Sequence, residues 1–249
     1  MLLIAVVLSA CVPAGPPGDL THGAPPQLAE APPEITSFQG WLDEHGVAYR
    51  VPQTGKAIMV NIPAFEVIAF EDGEPVMRSP VIVGTPWDQT PVMETYTSVV
   101  RFRPTWRPTP DMVASGEYED RLWPPGPENP LGLLAIRLEP GLLIYLHGTN
   151  RPALFEREDR ALSHGCVRVE RWDELAAWAL DEDLDYIYRM ANGNGTVDVP
   201  PVPSIPVTLG YFTSFPADDG TLRHFPDIYY REAQALHASN GAFPIQVPE

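Results

Sequence analysis

The residues with the clearest chemical potential occupy positions 163–168, which read Ser-His-Gly-Cys-Val-Arg. Cys166 is one of 2 cysteines, and the other, Cys11, lies in an N-terminal processing motif, so no disulfide partner is evident. A lone cysteine with histidines elsewhere in the chain is a candidate nucleophile, because a neighbouring base makes the thiolate available at neutral pH. His147, within Leu-His-Gly-Thr, is the candidate base.

The types of these residues predict acyl transfer. If the intervening chain loops back, the Cys166 thiol and the His147 imidazole lie about 3–4 Å apart and form a thiolate–imidazolium pair. The backbone N–H groups of Gly165 and Cys166 are then the expected donors to the oxygen of a tetrahedral intermediate. Arg168 is a fixed cation that suits a bidentate contact with a substrate carboxylate.

Simpler explanations of the same residues stay open. A lone cysteine is more often a buried apolar residue than a nucleophile, and a lone histidine often packs in a core. His147, His164 and Cys166 could ligate zinc, but a fourth ligand is not apparent and such a site would quench the thiol. We therefore expect no metal and no cofactor. Trp106 and Trp123 could stack on substrate, although core packing explains them at least as well.

The N-terminal residues predict export to the periplasm. Positions 1–11 read MLLIAVVLSAC, an apolar run too short to span a bilayer, which takes about 20 residues. Leu-Ser-Ala-Cys at its end resembles a lipobox, so Cys11 is the expected lipidation site and membrane anchor. Val12, rather than Asp, follows and favours the outer membrane, although no Lys or Arg precedes the run. The Pro-rich stretch 12–36 is expected to be a tether.

Composition fits one exported globular domain. The chain has 249 residues, 44% of them hydrophobic, which is enough for one sizeable core. The formal net charge is −17, from 16 basic and 33 acidic residues, and it argues against binding nucleic acid or an acidic membrane surface. Positions 151–171 hold five arginines against four acids, which reflects either chance or a site that meets substrate carboxylates.

The order of elements predicts a mainly β fold. Strands come first and helices late, with no βαβ rhythm, so we expect an antiparallel β-sandwich with a few short helices. The expected strands are 56–62, 65–70, 76–83, 95–102, 131–138 and 142–146. The expected helices are 38–45, with Ser37 as N-cap, 111–118 and 173–180. Within a domain spanning 37–230, residues 196–230 are expected to add a C-terminal hairpin of strands 207–215 and 222–230, before a tail at 231–249.

His147 and the 163–168 segment, separated by 16 residues from His147 to His164, resemble the signature of the L,D-transpeptidase (YkuD) catalytic domain family. Further motifs of that family follow in the expected order over residues 56–230. They are Val83-Gly84-Thr85, Thr90-Pro91, Arg103-Pro104-Thr105-Trp106, Pro124-Pro125-Gly126-Pro127, Asn129-Pro130-Leu131-Gly132 and Tyr145-Leu146-His147. The Pro-Pro-Gly-Pro and Asn-Pro-Leu-Gly segments, together with Asp218 to Tyr229, look most like the YcbB-type branch.

The resemblance implies an L,D-transpeptidase-like fold and peptidoglycan stem peptides as substrate. Such enzymes cleave the bond between the third residue and the terminal D-alanine of a tetrapeptide stem through a thioester. They then pass the acyl group to an amine on another stem, giving a 3→3 cross-link, while related enzymes use water or a lipoprotein amine. Cys166 is then the nucleophile, His147 the base, the Gly148 carbonyl the group that orients it, and Gly165 with Cys166 the oxyanion hole. The resemblance places the following residues on the substrate side or in its support: Ser163, His164, Arg168, Tyr145 and Asn129.

Two features depart from the YcbB-type pattern. Positions 12–55 leave little room for the wall-binding module usual in that branch, and residues 107–128, where some relatives carry a lid, form a short segment. The acceptor therefore stays open. The alternatives are a hydrolase on the same scaffold, acting as an L,D-carboxypeptidase or on a protein–peptidoglycan link, and a non-catalytic wall-binding lipoprotein.

Overall fold

The computed structural model describes residues 35–231. The expected signal segment, the lipidation site Cys11, nearly all of the tether and the tail lie outside these residues. Between positions 35 and 231, no helix has the length and apolar character needed to cross a membrane.

Strands dominate the described residues, which confirms the mainly β class. The strands are β1 (Lys56–Asn61), β2 (Glu66–Glu71), β3 (Glu74–Gly84), β4 (Met93–Phe102), β5 (Leu134–Leu138), β6 (Tyr145–His147), β7 (Ala161–Ser163), β8 (Val167–Val169), β9 (Val197–Val199), β10 (Pro206–Gly210), β11 (Ser214–Pro216) and β12 (Leu222–His224). The helices are α1 (Phe38–Glu44), α2 (Pro110–Ala114), α3 (Trp172–Leu180) and α4 (Leu184–Ala191), with a 3₁₀ turn at Pro152–Glu156.

The main sheet closes on itself. Its strands follow the order β10-β1-β2-β3-β8-β6-β5-β4, and β4 pairs with β10 to complete the ring. Most pairings in the main sheet are antiparallel, as expected, but three are parallel, namely β1 with β10, β3 with β7 and β6 with β8. Parallel neighbours require a crossover of about a dozen residues or more, a long-range feature that local patterning does not reveal.

The C-terminal hairpin is smaller than expected because the predicted strand 207–215 is divided. Its first part, β10, enters the main sheet beside β1, and only β11 and β12 pair as a separate two-stranded sheet. Asn61 binds the chain at this break: its side-chain amide donates to the Phe212 carbonyl and its side-chain oxygen accepts from the Phe212 N–H, both at 3.0 Å. Residue 212 is thereby removed from any ladder.

Two apolar clusters flank the strands, which explains why β1 is buried on both faces. Ile58 and Val60 face one cluster, which includes the apolar faces of α3 and α4. Met59 faces the other, which is covered by Phe38 of α1. The predicted N-cap of α1 is confirmed, since the Ser37 hydroxyl accepts from the Gly40 N–H at 3.1 Å.

Some local elements differ from expectation. The helix expected at 111–118 ends at Ala114, and the strand expected at 142–146 is limited to Tyr145–His147. Helix α4 was not expected. Asp183 begins it as an N-cap, with its carboxylate accepting from the Tyr186 N–H at 2.7 Å.

Candidate active site

Parallel pairing of β6 with β8 brings the two catalytic segments side by side. Leu146 lies opposite Val167, and His147 lies opposite Arg168. Cys166 immediately precedes β8, so it lies beside the strand that carries His147. The chain between His147 and Cys166 therefore returns as a crossover between two parallel strands.

A tight turn joins β7 to β8 and presents the cysteine. The Ser163 hydroxyl donates to the Cys166 carbonyl at 2.5 Å and accepts from the Gly165 N–H at 3.2 Å. Gly165 has φ +101°, a conformation that favours glycine. Ser163 therefore supports the turn, and it also lines the small cavity beside Cys166. Because the Gly165 N–H is engaged by Ser163, the Cys166 N–H becomes the candidate oxyanion donor of this turn.

The Cys166 thiol is half-buried and donates to the Leu143 carbonyl, with an Sγ–O distance of 3.3 Å. Burial raises the pKa of the Cys166 thiol above its ordinary value. A hydrogen bond from the Tyr145 backbone and the charge of Arg168 oppose that effect. The thiol is consequently protonated at neutral pH in the free protein.

His147 is buried, and its Nδ1 atom lies 2.6 Å from the Gly148 carbonyl oxygen. With Nδ1 donating to that carbonyl, Nε2 is the ring nitrogen that can accept a proton, as predicted for a base oriented by Gly148. Burial, assisted by the positive charge of Arg168, lowers the pKa of His147 to about 3, against the favourable carbonyls of Gly148 and Leu131. The imidazole is therefore neutral.

Both pKa shifts favour the neutral form of each group in the free protein, and within residues 35–231 no hydrogen bond joins the Cys166 sulfur to the imidazole. The expected thiolate–imidazolium pair stays a prediction. Catalytic hydrogen bonds are often loose in a free enzyme and tighten when substrate is bound. A neutral imidazole is the form that a general base requires.

Asn129 is a buried brace rather than a substrate contact. Its side-chain amide donates to the carbonyls of Pro104 and Pro124 at 2.8 and 3.0 Å, and its side-chain oxygen accepts from the Leu131 N–H at 3.0 Å. Gly132, at the end of the same segment, has φ +69°, and a Cβ there would lie 2.6 Å from the backbone nitrogen of Thr149, in the loop after His147. The Asn-Pro-Leu-Gly segment thus packs against the backbone that follows His147.

Two cavities meet at the cysteine. The smaller has a volume of about 50 Å³ and includes Arg168 together with His147. The larger, of about 440 Å³, includes Arg137 and Tyr145, whose ring lies 5.5 Å from the Arg137 guanidinium carbon. Cys166 and His164 line both cavities. Of the predicted substrate-side residues, Ser163, His164, Arg168 and Tyr145 line these cavities, and Asn129 does not.

A covering segment, residues 107–128, lies over this site. Backbone hydrogen bonds of 3.0 and 2.7 Å between Trp106 and Trp123 close its base. Tyr118 lines the smaller cavity, and its ring centroid lies 4.8 Å from that of Trp106. Glu117 contacts the His164 imidazole, with an Oε2–Nε2 distance of 3.0 Å. Sequence reasoning missed Glu117 and Tyr118, because no local pattern marks residues that meet the site only through folding of this segment.

Arg168 is the unpaired cation of the smaller cavity. It is half-buried, and the described part of the chain offers its guanidinium neither a hydrogen bond nor an ion pair. Burial and the nearby charge of Arg151 lower its pKa from an ordinarily very high value, so it stays charged at neutral pH. This arrangement suits an anionic group on a ligand. No group of three or more His, Cys, Asp or Glu side chains suited to a metal ion occurs between residues 35 and 231.

Comparison with known proteins assigns the chain to a family. Residues 55–203 match the YkuD model, described as the L,D-transpeptidase catalytic domain. The chain is similar to "Putative L,D-transpeptidase" of Haemophilus influenzae, at 29% identity over 227 residues, 74% of this chain and 46% of that protein. It is also similar to "Probable L,D-transpeptidase YbiS" of Escherichia coli, at 33% identity over 160 residues, 59% of this chain and 49% of that protein. An L,D-transpeptidase structure from Mycobacterium smegmatis matches with a TM-score of 0.40 and 18% identity, covering 62% of this chain and 58% of that one.

The chain spans about half the length of the curated relatives it matches. Assignment to the YcbB-type branch stays a prediction, because neither relative distinguishes that branch. The family model covers more than half of the chain, including both His147 and Cys166. This protein therefore belongs to the YkuD family of L,D-transpeptidase catalytic domains.

Proposed function

We propose that this protein is a peptidoglycan L,D-transpeptidase that forms 3→3 cross-links through a thioester on Cys166. The observation that carries the proposal is that Cys166 and His147 line one cavity in a chain whose residues 55–203 match the L,D-transpeptidase catalytic domain. A transferase must hold an acyl donor and an amine acceptor at one nucleophile, whereas a hydrolase needs a site for the donor alone. The cavity of about 440 Å³ that Cys166 also lines offers room for an acceptor beside the donor, which is the arrangement that transfer requires.

Acylation proceeds from the neutral pair. The Cys166 sulfur attacks the carbonyl carbon of the third stem residue while its proton passes to Nε2 of His147, and the Cys166 N–H stabilises the resulting oxyanion. The intermediate collapses as the carbon–nitrogen bond to the terminal D-alanine breaks. The leaving amine takes the proton from His147, which leaves a thioester and a neutral imidazole.

Transfer to the acceptor reverses these roles. A neutral side-chain amine of a second stem attacks the thioester carbon and gives a proton to His147. The carbon–sulfur bond then breaks, and the departing sulfur recovers that proton. The new amide bond is the 3→3 cross-link, and the enzyme returns to its starting state.

Arg168 suits the donor stem, because stem peptides carry carboxylates and this cation makes no hydrogen bond or ion pair with residues 35–231. Its charge also acts on both catalytic groups, lowering the pKa of the Cys166 thiol and that of the His147 imidazole. A substrate carboxylate that pairs with Arg168 would offset this charge. Binding of the donor would thereby make His147 a stronger base at the moment when the base is needed.

The proposal includes the cellular location of the protein, where peptidoglycan is accessible. The apolar run that ends in Leu-Ser-Ala-Cys supports export and lipidation at Cys11, with the enzyme held in the periplasm by its lipid anchor. Metabolic labelling with a clickable fatty acid tests this directly. A label that is present on wild type and absent from Cys11→Ala supports the anchor, and an unlabelled wild-type protein contradicts it.

The experiment that tests the activity combines the full chain with purified tetrapeptide-stem muropeptides. Products and protein adducts are measured by mass spectrometry for wild type, Cys166→Ala and the control Cys11→Ala. We expect a 3→3 dimer and a thioester adduct in wild type and Cys11→Ala only. A Cys166-dependent tripeptide without dimer would favour an L,D-carboxypeptidase or link hydrolase. The absence of both product and adduct would favour a non-catalytic wall-binding protein.

A further inference from the structure

Thr90, in the connection between β3 and β4, touches the back of the cysteine turn. Its residue is fully buried, and its hydroxyl donates to the Gly165 carbonyl at 2.9 Å. The same hydroxyl accepts from the Gly84 N–H, also at 2.9 Å. Because the Gly84 N–H can only donate, the hydroxyl hydrogen is directed towards Gly165.

Tyr229 holds Thr90 in turn. The Tyr229 hydroxyl accepts from the Thr90 N–H at 3.1 Å and donates to the Gly84 carbonyl at 2.8 Å. Tyr229 is 1% exposed, and its own N–H donates to the Tyr211 hydroxyl at 2.8 Å. A segment that follows the closed sheet in sequence is thus connected by buried hydrogen bonds to the turn that carries the nucleophile.

The close approach of these segments requires glycine at position 84. A Cβ at Gly84 would lie 2.0 Å from the Asp88 carbonyl oxygen and 2.6 Å from the Thr90 nitrogen. Such distances are well inside van der Waals contact. The absence of a side chain therefore lets the 85–90 loop fold back far enough for Thr90 to reach Gly165.

The contact has a direct consequence for the nucleophile. The Gly165 carbonyl and the Cys166 N–H belong to one planar trans peptide unit, so they point in opposite directions. Fixing the carbonyl oxygen therefore fixes the direction of the N–H that is the candidate oxyanion donor. Gly165, at φ +101°, is a residue with unusual backbone freedom, so this orientation depends on an external contact.

We infer that Thr90, held by Tyr229, is the positioning residue that aims the Cys166 N–H at the oxyanion of the tetrahedral intermediate. The inference deepens the proposed acyl transfer, on which it rests in assuming that an oxyanion forms at Cys166. It assigns to the Thr-Pro motif and to the C-terminal segment a shared role in transition-state stabilisation.

Two reagents separate this role from a general effect on folding. p-Nitrophenyl acetate acetylates the Cys166 sulfur through a tetrahedral oxyanion: the carbon–sulfur bond forms, p-nitrophenolate leaves, and the thiol proton passes through His147 to solvent. Iodoacetamide alkylates the same sulfur by direct displacement of iodide, with no oxyanion. The ratio of the two rates therefore reports the oxyanion donor, while the alkylation rate alone reports thiol access and ionisation.

The measurement uses the full chain, with peptide mass spectrometry to read modification at Cys166 separately from Cys11. For Thr90→Val we expect acetylation to fall by about tenfold or more, since a lost oxyanion donor typically costs about 10²–10³ in rate, while alkylation stays within about twofold. Thr90→Ser keeps the hydroxyl and should restore the wild-type ratio. Tyr229→Phe should lower the ratio less, because the Thr90 hydroxyl contact itself remains.

Tyr49→Phe is the matched control, because it removes a buried tyrosine hydroxyl that faces Thr208, away from the cysteine turn. Its ratio should equal that of wild type. An unchanged ratio in Thr90→Val, an equal fall in both rates, or failure of Thr90→Ser to restore the ratio would each overturn the inference. If Thr90→Val does not fold, an unchanged ratio in Tyr229→Phe overturns it.

The outcome is independent of the muropeptide assay. A ratio that depends on Thr90, in a protein that makes no 3→3 dimer, would support the positioning role and count against the proposed acceptor. A protein that makes the dimer with a ratio unaffected by Thr90 would support the function and overturn the positioning role.

Discussion

The buried neutral state of His147 should make folding stability depend on pH in a defined direction. Its pKa is about 3 in the folded protein against 6.5 for the ordinary group, so the unfolded chain binds a proton that the native state refuses. Stability is therefore fully present above pH 6.5 and is lost progressively as pH falls towards 3. Integrating from pH 7 to pH 5 gives a loss of about 2 kcal/mol from this residue alone, at about 1.4 kcal/mol per pH unit below 6.5.

Urea unfolding at pH 7 and pH 5, followed by tryptophan fluorescence, isolates this contribution when wild type is compared with His147→Asn. The asparagine amide keeps a donor near the Gly148 carbonyl but does not titrate. We expect the free energy of unfolding of wild type to fall by about 2 kcal/mol more than that of the variant. His224→Asn, which removes an exposed imidazole on β12, should behave as wild type. Parallel losses in wild type and His147→Asn would refute the claim that His147 is held neutral by burial.

Three other perturbations follow from single contacts. Arg168→Met should raise the pKa of His147 from about 3, measured by NMR titration, because the nearby positive charge lowers it; Arg168→Lys should keep it low. Gly84→Ala should lower the free energy of unfolding by about 1–3 kcal/mol or more, because the new Cβ would clash with the Asp88 carbonyl. Asn129→Ala should lower the free energy of unfolding in urea by about 1–3 kcal/mol, because the buried backbone groups that Asn129 binds would lose their hydrogen bonds. The KM for tetrapeptide stems should stay unchanged, whereas loss of a substrate contact would raise it.

Elements with a local signal were predictable from the sequence. The apolar run of β1 and the Ser37 cap of α1 depend on neighbouring residues only, and both elements occur as expected. The point at which β10 ends was not predictable, because the Asn61 side chain that binds Phe212 just beyond it lies far away in sequence. A strand can be recognised from its own residues, but its place in a sheet depends on distant ones.

Helix α4 shows a signal that was present but masked by another. Asp183 is a favourable N-cap, and Leu184, Ile187 and Ala191 follow with helical spacing. The acids after α3 oppose its dipole and indicated only that this helix ends there. It does end there, at Asp181 with φ +56°, and the same acidic run also begins the next helix. One charge pattern thus served two helix boundaries, and only one of them was recognised.

In the candidate site, too, some residues could be recognised from the sequence and others only from the fold. Chemistry restricts a nucleophile and its base to a few residue types, so Cys166 and His147 could be singled out as candidates from the amino-acid sequence alone. A positioning role does not restrict the residue type in this way, because any buried hydrogen-bond donor at the right place can fix a backbone carbonyl. Thr90 and Tyr229 lie within motifs that resembled the family, yet only the hydrogen bonds from Thr90 to Gly165 and to Tyr229 give those motifs a physical reason. The residues that aim a catalytic group are therefore visible only where the fold brings them together.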